Sequence, residues 1–168
     1  MTSARPTASD SARADTSDRE IVVTRVFDAP RALVFKLWTD PQHVARWWGP
    51  NGFSTTIYEM YVRPGGVWRF VMHGPDGRDY QNKIVYVEIA EPERLVYKQV
   101  FAPQFQMTVT FADAGDKTKL TARMLFESAA LRNKVIEEFG AVEGLKQTLG
   151  RLAEHVTHMK ETPHDSQR

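Results

Sequence analysis

AVEGLKQTLGRLAEHVTHM, residues 141–159, decides the fold. Val142, Leu145, Leu149, Leu152, Val156 and Met159 recur there at spacings of three and four, the signature of a single helical face. The stripe is about five turns long at ~3.6 residues per turn. At about 100° per residue, His158 points away from it and His155 lies on its flank. A helix with one apolar face must lay that face against another layer. The residues before it supply that layer.

Working upstream, the period falls to two. Trp68, Phe70 and Met72 alternate with Val67, Arg69 and Val71, as in a half-buried strand. Because Arg69 must face water, Trp68 is expected on the opposite, concave side. Leu120, Ala122, Met124 and Phe126 alternate in the same way with Thr121 and Arg123. Segments of strand character also cover 21–27, 80–89, 95–101 and 105–111, and one begins at Phe53. Pro- and Gly-rich breaks bound them, at Arg63-Pro64-Gly65-Gly66, Gly74-Pro75-Asp76-Gly77, Glu91-Pro92-Glu93-Arg94, Ala102-Pro103 and Asp113-Ala114-Gly115-Asp116. Connections this short make neighbouring strands antiparallel, since a parallel crossover needs a dozen or more residues.

Two brief helices follow the first strand. Asp28 ahead of Pro30, and Asp40 ahead of Pro41, have the N-cap and early-proline pattern of helix starts. Gly49-Pro50 ends the second. Ser128 is placed to cap a further short helix through Leu131, Val135 and Ile136, broken at Gly140. The expected architecture is α+β: a curved antiparallel sheet of about seven strands closed over a long C-terminal helix.

Composition bounds the function. The chain has 168 residues, 22 Lys+Arg against 21 Asp+Glu, 42% apolar residues and no Cys. That suits one domain with a sizeable core and no disulfides. A net charge of +1 does not suit a nucleic-acid binder, which usually carries a basic face. No apolar run exceeds four residues, so none approaches the ~20 needed to span a bilayer. Zero Cys excludes thiolate zinc sites and thiol catalysis and suits a cytoplasmic protein. Residues 1–19 are Ser-, Thr-, Ala-, Asp- and Arg-rich and are expected to form a disordered tail. A single domain then covers 20–160, and 161–168 form a frayed end.

No motif marks a catalytic centre or a cofactor site. Gly-x-Ser-x-Gly, His-Glu-x-x-His and a phosphate loop are all missing. His155 and His158 have no third ligand at suitable spacing, so no metal is expected, and they read as a solvated pair. Asp76, Arg78 and Asp79 read as a polar hairpin. His73, Glu59 and Arg69 are the candidates for acid–base work on a bound molecule, with an edge or rim position as the plainer reading. The aromatic residues carry more information. All four Trp (Trp38, Trp47, Trp48, Trp68) fall within 31 residues. Trp47 and Trp48 are adjacent on a short helix, so one packs inward and the other sits at a rim.

These residues resemble a known family. Phe27-Asp28-Ala29-Pro30, Val34-Phe35 and Trp38-Thr39-Asp40-Pro41 look like the opening of the activator-of-heat-shock-protein-90-ATPase homologues. That family lies within the START-related, Bet v allergen-like (SRPBCC) superfamily. Trp47-Trp48-Gly49-Pro50, Arg63-Pro64-Gly65-Gly66, Pro92-Glu93-Arg94-Leu95-Val96-Tyr97, Gln147-Thr148-Leu149 and Arg151-Leu152 continue the likeness in order, over about residues 20 to 160. The resemblance implies the helix-grip fold and a central cavity for apolar ligands.

The leading expectation is a non-enzymatic domain that holds a small hydrophobic molecule between the sheet and the C-terminal helix. Trp68, Phe70, Met72, Tyr97, Met107, Leu145 and Leu149 would line the site, with Trp47 or Trp48 and Phe53 near its mouth. No catalytic residue, metal or cofactor is assigned. One alternative is a protein-interaction module that acts on a chaperone or in a stress response. Another is a cyclase or hydrolase acting on a polyketide or aromatic. A homodimer is left open, and neither nucleic acid nor membrane is an expected partner.

Overall fold

The computed structural model describes residues 16–161. Seven strands form one antiparallel sheet: β1 (Glu20–Phe27), β2 (Ser54–Met60), β3 (Val67–His73), β4 (Asp79–Ala90), β5 (Arg94–Gln99), β6 (Phe105–Ala114) and β7 (Lys117–Leu125). Their order is β1-β7-β6-β5-β4-β3-β2. Strands β2 to β7 form a continuous meander, and β1 closes on β7 with Ile21 opposite Met124 and Phe27 opposite Thr118. Register shifts between Ile57 and Glu59, and between Tyr86 and Glu88, bend the sheet as bulges do.

Since β1 and β2 lie at opposite edges, the chain between them must cross the sheet's full width. Helices α1 (Arg31–Thr39) and α2 (Pro41–Trp47) make that crossing. Asp40 caps α2, its side chain accepting from the Gln42 N–H at 3.0 Å. Asp28, by contrast, does not cap α1. Pro30 holds the N-cap position, and Asp28 accepts instead from Lys160 Nζ at 3.0 Å, tying the start of the crossing to the end of the chain's last helix.

Helix α3 (Ala129–Phe139) opens with Ser128 accepting from the Leu131 N–H at 3.0 Å. It stops at Gly140, whose φ of +60° reverses the backbone into the left-handed region where a side chain would be strained. Helix α4 (Ala141–Glu161) then lies across the concave face. Leu149, Leu152 and Val156 are buried there, so the stripe that predicted the helix is the face it buries.

The amino-terminal tail, expected to be disordered over 1–19, lies outside the described residues up to 15. Thr16–Arg19 differ from that expectation. Ser17–Arg19 make a 3-10 turn, and Arg19 is bound to Phe126 by main chain (Phe126 N–H to Arg19 O, 2.9 Å) and by its guanidinium (3.1 Å to Phe126 O). Polar composition hid an anchoring pair of hydrogen bonds. The expected frayed end falls outside the described residues from 162 onward.

Candidate ligand cavity

Along the strands the even-numbered residues of β3, those of β4 up to the bulge at Tyr86, and the odd-numbered ones of β5 and β6 face inward. Register places Asn82 opposite Phe70, Gln99 opposite Ile84, and Met107 opposite Tyr97. These residues floor a cavity of about 260 Å³ beneath the α3–α4 junction. Phe139, Ala141, Gly144, Leu145 and Thr148 roof it, and Trp48, Gly49 and Pro50 close one side. The size lies just below the roughly 300–1,000 Å³ of typical small-molecule sites.

Of the residues expected at a ligand site, Trp48, Phe70, Met72, Tyr97, Met107 and Leu145 line this cavity. Trp47, Trp68 and Leu149 do not, and Phe53 stands beside the Gly49 corner at its mouth. Trp47 is fully buried, its indole N–H donating to the Leu37 carbonyl at 3.0 Å, so Trp48 is the member of the pair at the wall. Trp68 faces the concave side but lies behind Trp48, at 4.7 Å between ring centroids. Leu149 is sealed in the core, and Phe53 packs beside Tyr80. Alternation gave the correct face in each strand; it did not say which side chains stand in front of others.

The mouth is held by two devices. Gly49 has φ +107°, and a Cβ there would meet Phe53 Cβ at 3.1 Å and Met72 Cε at 3.2 Å, so only glycine turns this corner without strain. Arg151 of α4 then clamps it, Nη1 donating to the carbonyls of Gly49 (2.9 Å), Pro50 (3.1 Å) and Trp48 (3.4 Å). Partial burial lowers the Arg151 pKa from its ordinary value. The carbonyl dipoles take the place of water around that guanidinium.

The polar residues that the sequence overlooked are Asn82, Gln99 and Thr148, all on the cavity wall. Gln99 is 5% exposed, and its Nε2 donates to Asn82 Oδ1 at 2.7 Å. Among the described residues no charged side chain lines the cavity. Trp68 Nε1 and the Tyr86 hydroxyl are buried with no hydrogen-bond partner among those residues, and the buried Tyr97 hydroxyl has the Trp38 indole N–H as its polar neighbour. Burial pushes both phenols above the ordinary tyrosine range, so they stay as neutral O–H groups.

The candidate acid–base residues lie on the other face of the sheet. Arg69 donates to Glu59 at 3.3 Å. His73 bridges Thr56 (Oγ1 to Nε2, 2.8 Å) and Asp79 (Nδ1 to Oδ1, 2.7 Å). This hydroxyl–imidazole–carboxylate chain has the order of a nucleophilic triad, but it sits on exposed strand surface whose main-chain amides belong to the β2–β3–β4 ladder. Asp76 accepts from the Arg78 N–H at 3.0 Å in the polar hairpin expected there.

His155 corrects the sequence reading. It is buried, not solvated, and its Nε2 meets Nδ1 of His43 at 3.0 Å, joining α4 to α2. Desolvation first, then the facing His43, Arg46 and His158, bring its pKa down to about 4. Desolvation likewise lowers His43. Among the described residues no group of three His, Asp or Glu gathers to hold a metal. Nor is any described helix long and apolar enough to cross a membrane.

A seven-stranded antiparallel sheet gripping a long C-terminal helix defines the helix-grip fold of the START-related superfamily. Over residues 28–157 the chain matches the family described as activator of Hsp90 ATPase homolog 1-like protein, and it belongs to that family. Solved structures share the fold. A protein from Arthrobacter aurescens superposes with TM-score 0.80 at 24% identity, over 86% of this chain and 90% of its own. One from Nitrosomonas europaea gives 0.78 at 23%, covering 88% and 99%. A third, from Mycobacterium smegmatis, gives 0.78 at 24%, covering 86% and 95%. No curated protein matches the chain.

Proposed function

We propose that this chain is a cytoplasmic binding protein that holds a small, mainly apolar molecule in the cavity beneath the α3–α4 junction, without acting on it chemically. The observation that carries this is the cavity itself: about 260 Å³ left open, with a mostly apolar lining, in a core otherwise packed with aromatic residues. The non-catalytic half of the reading rests on the lining, in which no described residue brings a charged or imidazole group to serve as acid or base. His73, Glu59 and Arg69 stand across the sheet from it.

Small molecules extracted from the purified protein and identified by mass spectrometry test the reading directly. A titration with N-phenyl-1-naphthylamine adds a signal that needs no native ligand. Trp48→Phe should remove most of the probe-induced change in tryptophan fluorescence and Trp68→Phe much less, because Trp48 stands between Trp68 and the cavity. Absence of any saturable signal would overturn the proposal. The rival is a module that engages a chaperone or a stress-response partner; it rests on the family description alone. Stimulation of a chaperone ATPase by the purified chain would favour it.

A further inference from the structure

Resting on the ligand-binding reading above, we infer that the cavity selects a neutral molecule carrying one hydroxyl, which the Asn82–Gln99 amide pair recognises, and rejects carboxylates of the same shape. The pair is an anomaly in its setting. Gln99 is among the few buried polar side chains, two residues beyond Tyr97 on the inward face of β5, where an apolar residue would continue the pattern. Asn82 occupies the next inward position of β4, two before Ile84, the residue opposite Gln99.

Counting donors and acceptors shows what the pair leaves open. A glutamine amide offers two N–H donors and one acceptor oxygen, and asparagine the same. One N–H of Gln99 Nε2 goes to Asn82 Oδ1 at 2.7 Å, and one N–H of Asn82 Nδ2 goes to the Tyr80 carbonyl at 3.0 Å. Gln99 Oε1 accepts no hydrogen bond from any described residue. The second N–H of each amide is likewise uncommitted. On the opposite wall the Thr148 hydroxyl donates to the Gly144 carbonyl at 2.9 Å, so its oxygen can only accept.

A hydroxyl fits this set because it donates once, to Gln99 Oε1, and accepts once, from an amide N–H. A carboxylate can only accept, and it would carry its charge into a wall where no described residue offers a cation to meet it. Arg151 does not serve, since its guanidinium is turned to the three carbonyls of the mouth. A bare hydrocarbon would leave the amide pair unanswered. Size narrows the class further. At ~30 Å³ per water in the liquid, 260 Å³ is space for about nine waters, which suits one or two fused rings.

The test is equilibrium dialysis of the full chain at pH 7 against naphthalene, 1-naphthol and 1-naphthoate, a series of one shape and three polar endings. The expected order puts 1-naphthol roughly tenfold or more ahead of both others, the worth of about one well-placed buried hydrogen bond. In Gln99→Met the advantage over naphthalene should fall to about twofold or less. Gln99→Glu, a second variant of near-native shape, keeps an acceptor for the hydroxyl, so 1-naphthol should hold its lead over naphthalene at pH 7 while like charge weakens 1-naphthoate further. Equal binding of all three compounds, or tightest binding of 1-naphthoate, would overturn this inference and leave the ligand-binding proposal standing. Failure of all three to bind would remove both.

Discussion

The two ends of the concave face are covered by the same chain in different ways. One end is solid: Phe35 meets Phe111 at 5.2 Å, Trp38 meets Trp47 at 5.0 Å and Phe111 at 6.0 Å, and each of these rings is 3% exposed or less, Trp38 standing at the border where its other side lines the cavity. The other end keeps the cavity, although its floor of Phe70, Met72, Phe105, Met107 and Met124 is made of equally large residues. The difference lies in the cover. Helix α1 sends Phe35 and Trp38 down into the sheet, whereas the first turns of α4 present Ala141, Gly144, Leu145 and Thr148. Along α4 itself the change falls at Thr148–Leu149, beyond which Leu149, Leu152 and Val156 are sealed. The void is therefore set by side-chain volume on the covering helix and not by the sheet. Protein interiors normally close such gaps.

The contrast can be broken most severely at the boundary residue. Leu149→Asp places a carboxylate at a fully buried position inside the apolar core. The expected cost is several kcal/mol, a large share of the ~5–15 kcal/mol typical of a domain. Loss of a cooperative thermal transition would register it; a stable, folded variant would mean that α4 is not core.

Truncation on the two sides of that boundary sharpens the comparison. Phe35→Ala should cost about 3–5 kcal/mol in urea denaturation, the usual range for removing a buried large aromatic. Leu145→Ala, a half-buried residue beside existing space, should cost about 1 kcal/mol. Equal costs would show that the hollow end is as tightly packed as the solid one.

How much of this was legible in the sequence depends on the range of the interaction. The helix stripe, the strand alternation and the caps at Asp40 and Ser128 are local, and they read correctly because each depends on neighbours within a few positions. The inward face of Trp68 was legible for the same reason. Its shielding by Trp48 was not, because that contact joins a strand to a helix end 20 residues away. Asp28 failed as a cap because Lys160, 132 residues on, offers it a full charge. Gln99 and Asn82 left a signal that went unused: each is a polar residue at an inward position of its strand. The pairing of His43 with His155 left none, as 112 residues separate them.

That histidine pair gives a smaller effect, with a defined direction. The folded pKa of His155 is brought down to about 4 from an ordinary 6.5, and His43 moves the same way, so between those values the unfolded chain binds more protons. The stabilising contribution is complete above about pH 6.5 and is lost as pH falls toward 4. Tm should accordingly drop across this window, and His155→Gln should flatten the drop. Because the pair joins α2 to the solid half of α4, acid should loosen that end first. An unchanged pH slope in the variant would assign the loss to other groups.

The smallest effect belongs to Gly144, on the roof of the hollow end. Its place in α4 has no positive φ, and a Cβ there would meet Pro50 Cγ at 3.6 Å, an ordinary contact. Glycine within a helix is less favourable than alanine by ~0.8–1 kcal/mol, since it has more backbone freedom to lose. Gly144→Ala should therefore raise stability by up to ~1 kcal/mol, while adding one methyl group toward the mouth. If the open space served only as a packing defect, the substitution would be a gain without loss. If the space receives a ligand, the same methyl should weaken binding of N-phenyl-1-naphthylamine even as Tm rises. Opposite signs in the two measurements on one variant would show that the hollow end is left unfilled for binding, and equal signs would return it to the core.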